Sequence, residues 1–260
     1  MDSKDLEALA LRLHSARLEA REVERLTADA PELSLDDAYA VQEAGVRLRL
    51  RDGERLVGLK MGLTSEAKRK QMSLDSPVYG VLTDRMQLTD GGALPLKGSI
   101  HPKIEPEVAF KIGRELRGSI SIEQAAEACS GVAAAMEILD SRYRGFKYFS
   151  LPDVVADNSS SFLFVVSNHW RPLAGLVLDR LKMTMSVNGV AKQSAESSAI
   201  SGHPLISIVQ LCELLARRDR ALPAGSIVMA GAATVAEVLQ PGDKIELTVD
   251  GLGSVSVTAS

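Results

Sequence analysis

The heptapeptide Ile104-Glu105-Pro106-Glu107-Val108-Ala109-Phe110 sets two carboxylates two residues apart in an otherwise apolar stretch. On a β-strand, side chains at i and i+2 leave by the same face. Glu105 and Glu107 would then project together, with Ile104, Val108 and Phe110 turned the other way. Two carboxylates on one face repel unless a cation lies between them. Glu137 adds a third acid inside the apolar run GVAAAMEILD, where a lone buried carboxylate is costly. Three carboxylates make a hard oxygen donor set, suited to magnesium or manganese rather than zinc. Such a set leaves coordination positions for water or a bidentate substrate. Spacing alone keeps two alternatives open: a solvated edge strand carrying Glu105 and Glu107, and a buried ion pair of Glu137 with arginine or lysine.

A second group is Gly58-Leu59-Lys60-Met61-Gly62-Leu63-Thr64-Ser65, in which Lys60 interrupts an apolar strand and hydroxyls follow. The next residues, SEAKRKQM, read as a helix whose first N–H groups suit an anion. Lys60 would bind a carboxylate or enolate oxygen, or else snorkel from a strand edge. Asp157-Asn158-Ser159-Ser160-Ser161 precedes the apolar SFLFVV; it reads by default as a turn, and otherwise as hydroxyls lining a site. His14, His101, His169 and His203 show no metal spacing; only His101 is near enough to the glutamate pair to stand behind it. The nucleophile-elbow, P-loop and dinucleotide fingerprints are absent, which argues against those chemistries.

These residues need elements to hold them. Leu6, Leu9, Ala10 and Leu13 recur at the helical period. Ser34 would cap a second helix that runs through Val41 and Leu48 to Asp52-Gly53. Residues 1–55 are therefore expected to form a helical cap on a β-rich catalytic domain of residues 56–260. Strands are predicted at Leu56–Met61, Ile104–Lys111, Ala133–Leu139, Ser161–Val166 and Leu181–Val187, with a further strand in LPAGSIVMAG. Asn188-Gly189 and Asp250-Gly251 each read as a type I′ hairpin turn. Pro204 to Arg218 reads as a helix with proline in its first turn.

Composition narrows the class. The chain has 260 residues, 45% apolar and 25% charged, which suits a soluble domain with a real core. A net charge of −4 with no basic stripe argues against nucleic acid as a partner. No apolar run is read as reaching the ~18 residues of a membrane span, and the N-terminus lacks the core of a signal peptide. A cytoplasmic location is expected. Cys129 and Cys212 read as separate buried thiols in helical patterns.

Taken in order, GLKMGLTS, LDSPVYG, HPKIEPEVAF, MEILDSRY and VADNSSSF resemble the fumarylacetoacetate hydrolase superfamily, over roughly residues 40–255. They are most similar to its hydratase/decarboxylase branch, from meta-cleavage degradation of catechols. The resemblance implies an α+β fold, with a mixed β-sandwich or barrel-like core and an N-terminal helical region. It implies Mg²⁺ or Mn²⁺ held by Glu105, Glu107 and Glu137, with Lys60 as the active-site lysine. Ser160 falls in the family's substrate-lining segment, and Thr64, Val78 and Thr234 join it as substrate-binding residues.

The branch hosts two reactions. One adds water to 2-hydroxypenta-2,4-dienoate; the other removes CO₂ from 2-oxohex-3-enedioate (4-oxalocrotonate), a small 2-oxo dicarboxylic acid, to make that dienoate. Hydratases of the branch usually carry an acid where this chain has Val78, in Asp75-Ser76-Pro77-Val78-Tyr79-Gly80. Valine cannot move protons but can wall an apolar pocket, and HPKIEPE also resembles the decarboxylases, so decarboxylation is expected. Thr234 keeps the family threonine, although its surroundings, Met229-Ala230-Gly231-Ala232-Ala233, depart from the family pattern. The rival readings are the hydratase, a C–C bond hydrolase needing a His/Glu pair with His14 as the only histidine in the helical region, and a silent metal-binding or subunit-interaction protein. The resemblance also implies a homo-oligomer, and association with the hydratase of the same pathway.

Overall fold

Ser34 begins the helix that its sequence predicts: its hydroxyl accepts from the Asp37 N–H while the Asp37 carboxylate accepts from the Ser34 N–H. The computed structural model describes residues 1–64, 76–146 and 150–260. Three helices open the chain: α1 (Ser3–Leu18), α2 (Leu26–Asp29) and α3 (Leu35–Arg51). Ala10, Leu13 and Ala16 of α1 and Ala38, Val41 and Ala44 of α3 are buried, and the small alanines among them let the two helices pack closely. The same hydrophobic cluster continues into the strands, so the helical region and the sheets share one core.

The strands are β1 (Leu56–Gly62), β2 (Val78–Thr83), β3 (Gln87–Leu88), β4 (Gly92–Leu94) and β5 (Lys103–Ile112). They continue with β6 (Leu116–Arg117), β7 (Cys129–Leu139), β8 (Ser161–Val166), β9 (Lys182–Val187) and β10 (Val190–Glu196). The last are β11 (Ala221–Leu222), β12 (Ile227–Met229), β13 (Glu237–Val238), β14 (Lys244–Val249) and β15 (Gly253–Ala259). Among the described residues the larger sheet runs β2-β1-β12-β5-β7-β8-β3, with β13 also on β5; a second runs β10-β9-β14-β15-β4. The architecture is α+β, as expected.

Central β5 and β7 separate two faces. Ile104, Val108 and Phe110 join Met136 and Ile138 in the main core, while Ala109, Ala133 and Ala135 join a second cluster with Phe164 and Met229. The glutamates continue the row of alanines on that second face. Their antiparallel register sets Glu105 opposite Glu137 and Glu107 opposite Ala135.

Several expectations need correction. Strand β2 was not among the predicted strands, although VYGVLT is buried throughout. Asn188 and Gly189 both have positive φ and close Val187 onto Val190, the predicted two-residue turn. The second hairpin differs: Val249 pairs with Gly253, so three residues bridge it, and Gly251 and Gly253 take the positive φ. Cys129 caps a helix, Ile122–Ala128, and opens β7 rather than lying in a helix. The helix expected over SEAKRKQM lies outside the described residues. Ser197–Ala216 is long and apolar enough to cross a membrane by length and composition, with a mean hydropathy of 1.4. The fold uses it otherwise. Positive φ at Ser201 and Gly202 breaks the stretch, and the α-helix Pro204–Ala216 buries Leu205, Ile208, Leu211 and Leu215 in the core. At 13 residues it reaches about 20 Å, short of a hydrocarbon layer.

Candidate metal centre and active site

Glu105, Glu107 and Glu137 each offer an oxygen, and these atoms lie within 4.8 Å of one another. The spacing that predicts one face for Glu105 and Glu107 supplies two of them; the β5–β7 register supplies the third. Glu107 and Glu137 are wholly buried, and Glu105 is half-buried at the edge of the cluster.

The partners of these carboxylates are specific. Glu107 Oε2 accepts from the Gly231 N–H at 2.7 Å, and Glu137 Oε1 accepts from the Ser161 hydroxyl at 2.7 Å. Lys60 Nζ stands 3.1 Å from Glu137 Oε2, so the ion pair weighed for Glu137 exists beside the carboxylate cluster. Yet Glu107 Oε1 and Glu137 Oε2 remain without hydrogen-bond partners in buried surroundings; the lysine meets Oε2 as a neighbouring charge. Burial pushes the Glu107 carboxyl well above the usual carboxylate range, and the like charges of Glu137 and Glu105 push the same way. A divalent cation resolves that conflict: it accepts the two orphaned oxygens and cancels the repulsion. The residues present fit one.

The cluster borders a cavity of about 400 Å³, whose walls include Lys60, Gly62, Thr64, Lys103, Glu105 and Ser159. Met61, Leu63, Leu139, Phe146, Val154 and Val235 give it apolar sides. Two glycines shape it. A Cβ at Gly62 would sit 2.7 Å from Ser159 Oγ, and one at Gly80 would sit 2.8 Å from the Asn158 carbonyl and 3.1 Å from Lys60 Cε. Their absence of side chains lets Lys60 and the Asn158–Ser159 backbone approach each other.

The Asp157–Ser161 segment is more than a turn. Arg142 grips Asp157 through an ion pair and donates to its carbonyl, and Asn158 holds both the N–H and the C=O of Val81. Asn158, Ser159 and Ser160 then all adopt positive φ, which is unusual for three successive non-glycine residues. This turns Ser159 into the cavity and delivers Ser161 to Glu137.

The substrate-binding candidates take different places. Thr64 lines the cavity. Val78 is buried beside Gly62, where its Cγ2 would lie 3.3 Å from an added Cβ, one layer behind the wall. Ser160 is fully buried, with its backbone joined to Asp157 and Asp140. Thr234 lies between wall residues Ala232 and Val235 and donates its hydroxyl to the Val235 carbonyl. His101 does not stand behind the glutamates: its Nε2 meets Glu22 at 2.7 Å and its ring stacks with Phe146. His14 pairs with Asp52 at 3.2 Å, outside the walls of this cavity.

Sequence reasoning missed Gly231, and of the three hydroxyls that could line a site it singled out Ser160, whereas Ser159 lines the cavity and Ser161 meets Glu137. Gly231 carried the best signal, a glycine in MAGAA: its φ is +104°, and a Cβ there would lie 2.5 Å from Thr64 Oγ1. Nothing in the spacing of three serines says which of them faces the cavity.

Residues 57–259 match the fumarylacetoacetate (FAA) hydrolase C-terminal family, and the chain belongs to that family. It is an enzyme of that superfamily. A 4-oxalocrotonate decarboxylase from a Pseudomonas species is 43% identical over 236 residues, covering 88% of this chain and 91% of that one. A 2-hydroxyhexa-2,4-dienoate hydratase from Comamonas testosteroni is 34% identical over 259 residues, covering 98% of each chain. The solved structure of 4-oxalocrotonate decarboxylase from Pseudomonas putida G7, complexed with magnesium and adipate, matches with a TM-score of 0.97 at 38% identity, covering 100% of this chain and 99% of that one.

Proposed function

We propose that the protein is a carboxy-lyase that removes CO₂ from 2-oxohex-3-enedioate (4-oxalocrotonate) to give 2-hydroxypenta-2,4-dienoate in aromatic degradation. One observation carries the reading: Lys60 and Glu105, the latter clustered with the buried Glu107 and Glu137, line a single cavity in a chain 43% identical to a 4-oxalocrotonate decarboxylase. Glu105, Glu107 and Glu137 would hold Mg²⁺ or Mn²⁺. When bound, the cation supplies Lewis acidity to the 2-oxo acid end of the substrate.

The chain's own residues do the rest. Gly231 and Ser161 fix the carboxylates of Glu107 and Glu137. The bond from the chain to the departing carboxylate breaks, and its electron pair passes through the conjugated chain toward the C2 oxygen. The Lys60 ammonium, 3.1 Å from Glu137 Oε2, would set positive charge beside the C2 oxygen as it develops charge, and its Nζ would hold the proton that completes the enol. Leu139, Val154 and Val235 line the cavity, and Val78 backs it; apolar walls favour neutral CO₂ over the carboxylate it leaves. Thr64 and Ser159 line the same walls as substrate-positioning groups, with Thr234 adjoining wall residue Val235 and Ser160 buried behind them.

The reading is tested by supplying each acid with magnesium and with chelator. Release of CO₂ from the hexenedioate only in the presence of metal is expected. Water addition to the dienoate, without CO₂ release, would instead move the protein to the hydratase chemistry that its 34% identical relative supports. Glu105→Gln should abolish metal-dependent turnover and leave the protein folded. A homo-oligomeric, cytoplasmic enzyme that associates with the pathway's hydratase completes the proposal, on the family resemblance; light scattering and co-purification with the hydratase test it.

A further inference from the structure

Lys103 lies two residues from Glu105 on β5, and both line the cavity. The pairing with β7 arranges the floor in rows: Glu105 sits opposite Glu137, and the next row is Lys103 opposite Leu139. Successive rows on one face are about 7 Å apart along a strand. The metal-ligating row is thus followed directly by a cationic one.

The charge balance of the cavity makes Lys103 distinctive. Lys60 is committed to Glu137 at 3.1 Å. Among the described residues no carboxylate lies within ion-pair distance of Lys103. Its Nζ rests instead 4.1 Å from the centroid of the Phe146 ring, and Phe146 is itself a cavity wall. A cation over an aromatic face is held in place without being neutralised. It remains able to meet an anion that enters the cavity.

We propose that Lys103 recognises the second carboxylate of the substrate and so sets the preference for a 2-oxo dicarboxylate over a 2-oxo monocarboxylate. The inference rests on the decarboxylase reading, which gives the substrate a carboxylate at each end. With the 2-oxo acid end at the glutamate row, the far carboxylate falls toward the Lys103–Leu139 row. A cation beside a carboxylate that must leave as neutral CO₂ favours the ground state. Lys103 therefore acts in capture, and its removal falls on KM rather than on kcat.

The test uses the full-length, magnesium-loaded protein, as wild type, Lys103→Met and Lys103→Arg. Calorimetric titration compares 2-oxoadipate with 2-oxohexanoate, which share a chelating end and differ in the far carboxylate. Lys103→Met should weaken 2-oxoadipate about 10- to 100-fold. It should leave 2-oxohexanoate within about twofold of the wild type, less than the loss of one charge-assisted contact. The KM for the hexenedioate should rise in step while kcat holds or increases, and Lys103→Arg should restore the preference. Equal weakening of both acids, or of neither, overturns the role of Lys103 while leaving the decarboxylase reading intact. If the wild type binds neither acid and releases no CO₂, the decarboxylase reading fails and the inference falls with it.

Discussion

Lys60 Nζ lies 3.1 Å from Glu137 Oε2, with both side chains almost wholly buried. The lysine interrupts the apolar β1 and the glutamate interrupts the apolar β7, so each would be an isolated buried charge without the other. Lys60→Met should destabilise the metal-free protein by about 3–5 kcal/mol, because Glu137 is left uncompensated. Magnesium should recover part of that loss, and turnover should fall at least about 100-fold. Thermal melts with and without magnesium, alongside steady-state kinetics, check this.

Gly231 joins two requirements at one backbone position. Its N–H holds Glu107 at 2.7 Å, and its missing Cβ makes room for Thr64. Gly231→Ala meets both a collision and an unfavourable positive φ. A loss of about 1–3 kcal/mol is expected, together with weaker magnesium binding measured by calorimetry. Unchanged metal affinity would show that the Gly231 N–H does not orient Glu107.

Arg142 and Asp157 form the buried clamp that precedes the positive-φ residues Asn158, Ser159 and Ser160. Arg142→Met strands the Asp157 carboxylate and should destabilise the fold by about 3–5 kcal/mol. The double variant Arg142→Met with Asp157→Leu should recover stability, since an apolar pair can replace a buried ion pair. It should not recover turnover, because the backbone that presents Ser159 and Ser161 loses its anchor. Denaturant melts and kcat for both variants separate the two effects.

The two thiols give a pH-dependent prediction. Burial pushes the Cys129 thiol up to about 12 and the Cys212 thiol up to about 11, each helped by a nearby group of like charge when ionised. Both stay protonated near about pH 8, so alkylation of the native protein should be slow there and quicken only toward pH 11. Because both values are raised on folding, the stability they contribute is complete below about pH 9 and is lost as pH climbs through 11 and 12. Mass spectrometry after timed iodoacetamide treatment measures the reactivity; fast modification of the folded protein at pH 8 would contradict the burial argument.

Much of the site follows from local rules. Two-residue periodicity put Glu105 and Glu107 on one face, and the cost of a lone buried carboxylate marked Glu137 as needing a partner. The cap at Ser34 and the turn at Asn188-Gly189 are equally local, each written in a few neighbouring residues. β2 was less legible, because its buried VYGVLT carries no alternation to distinguish it from other apolar runs.

What the sequence by itself determined was the donor set: three carboxylates and a lysine in apolar strands, whose desolvation demands compensation wherever they meet. The tertiary structure decided how they meet. The β5–β7 register brings Glu137 to Glu105, a long-range pairing that no local spacing encodes. Gly231, 124 residues from Glu107, orients that carboxylate through a backbone N–H whose identity is invisible in sequence. Three consecutive positive φ angles send Ser159 to the cavity and Ser161 to Glu137 while Ser160 is buried. Side-chain direction there depends on backbone torsions fixed by the Arg142–Asp157 clamp and the Asn158–Val81 contacts, and those are properties of the folded chain.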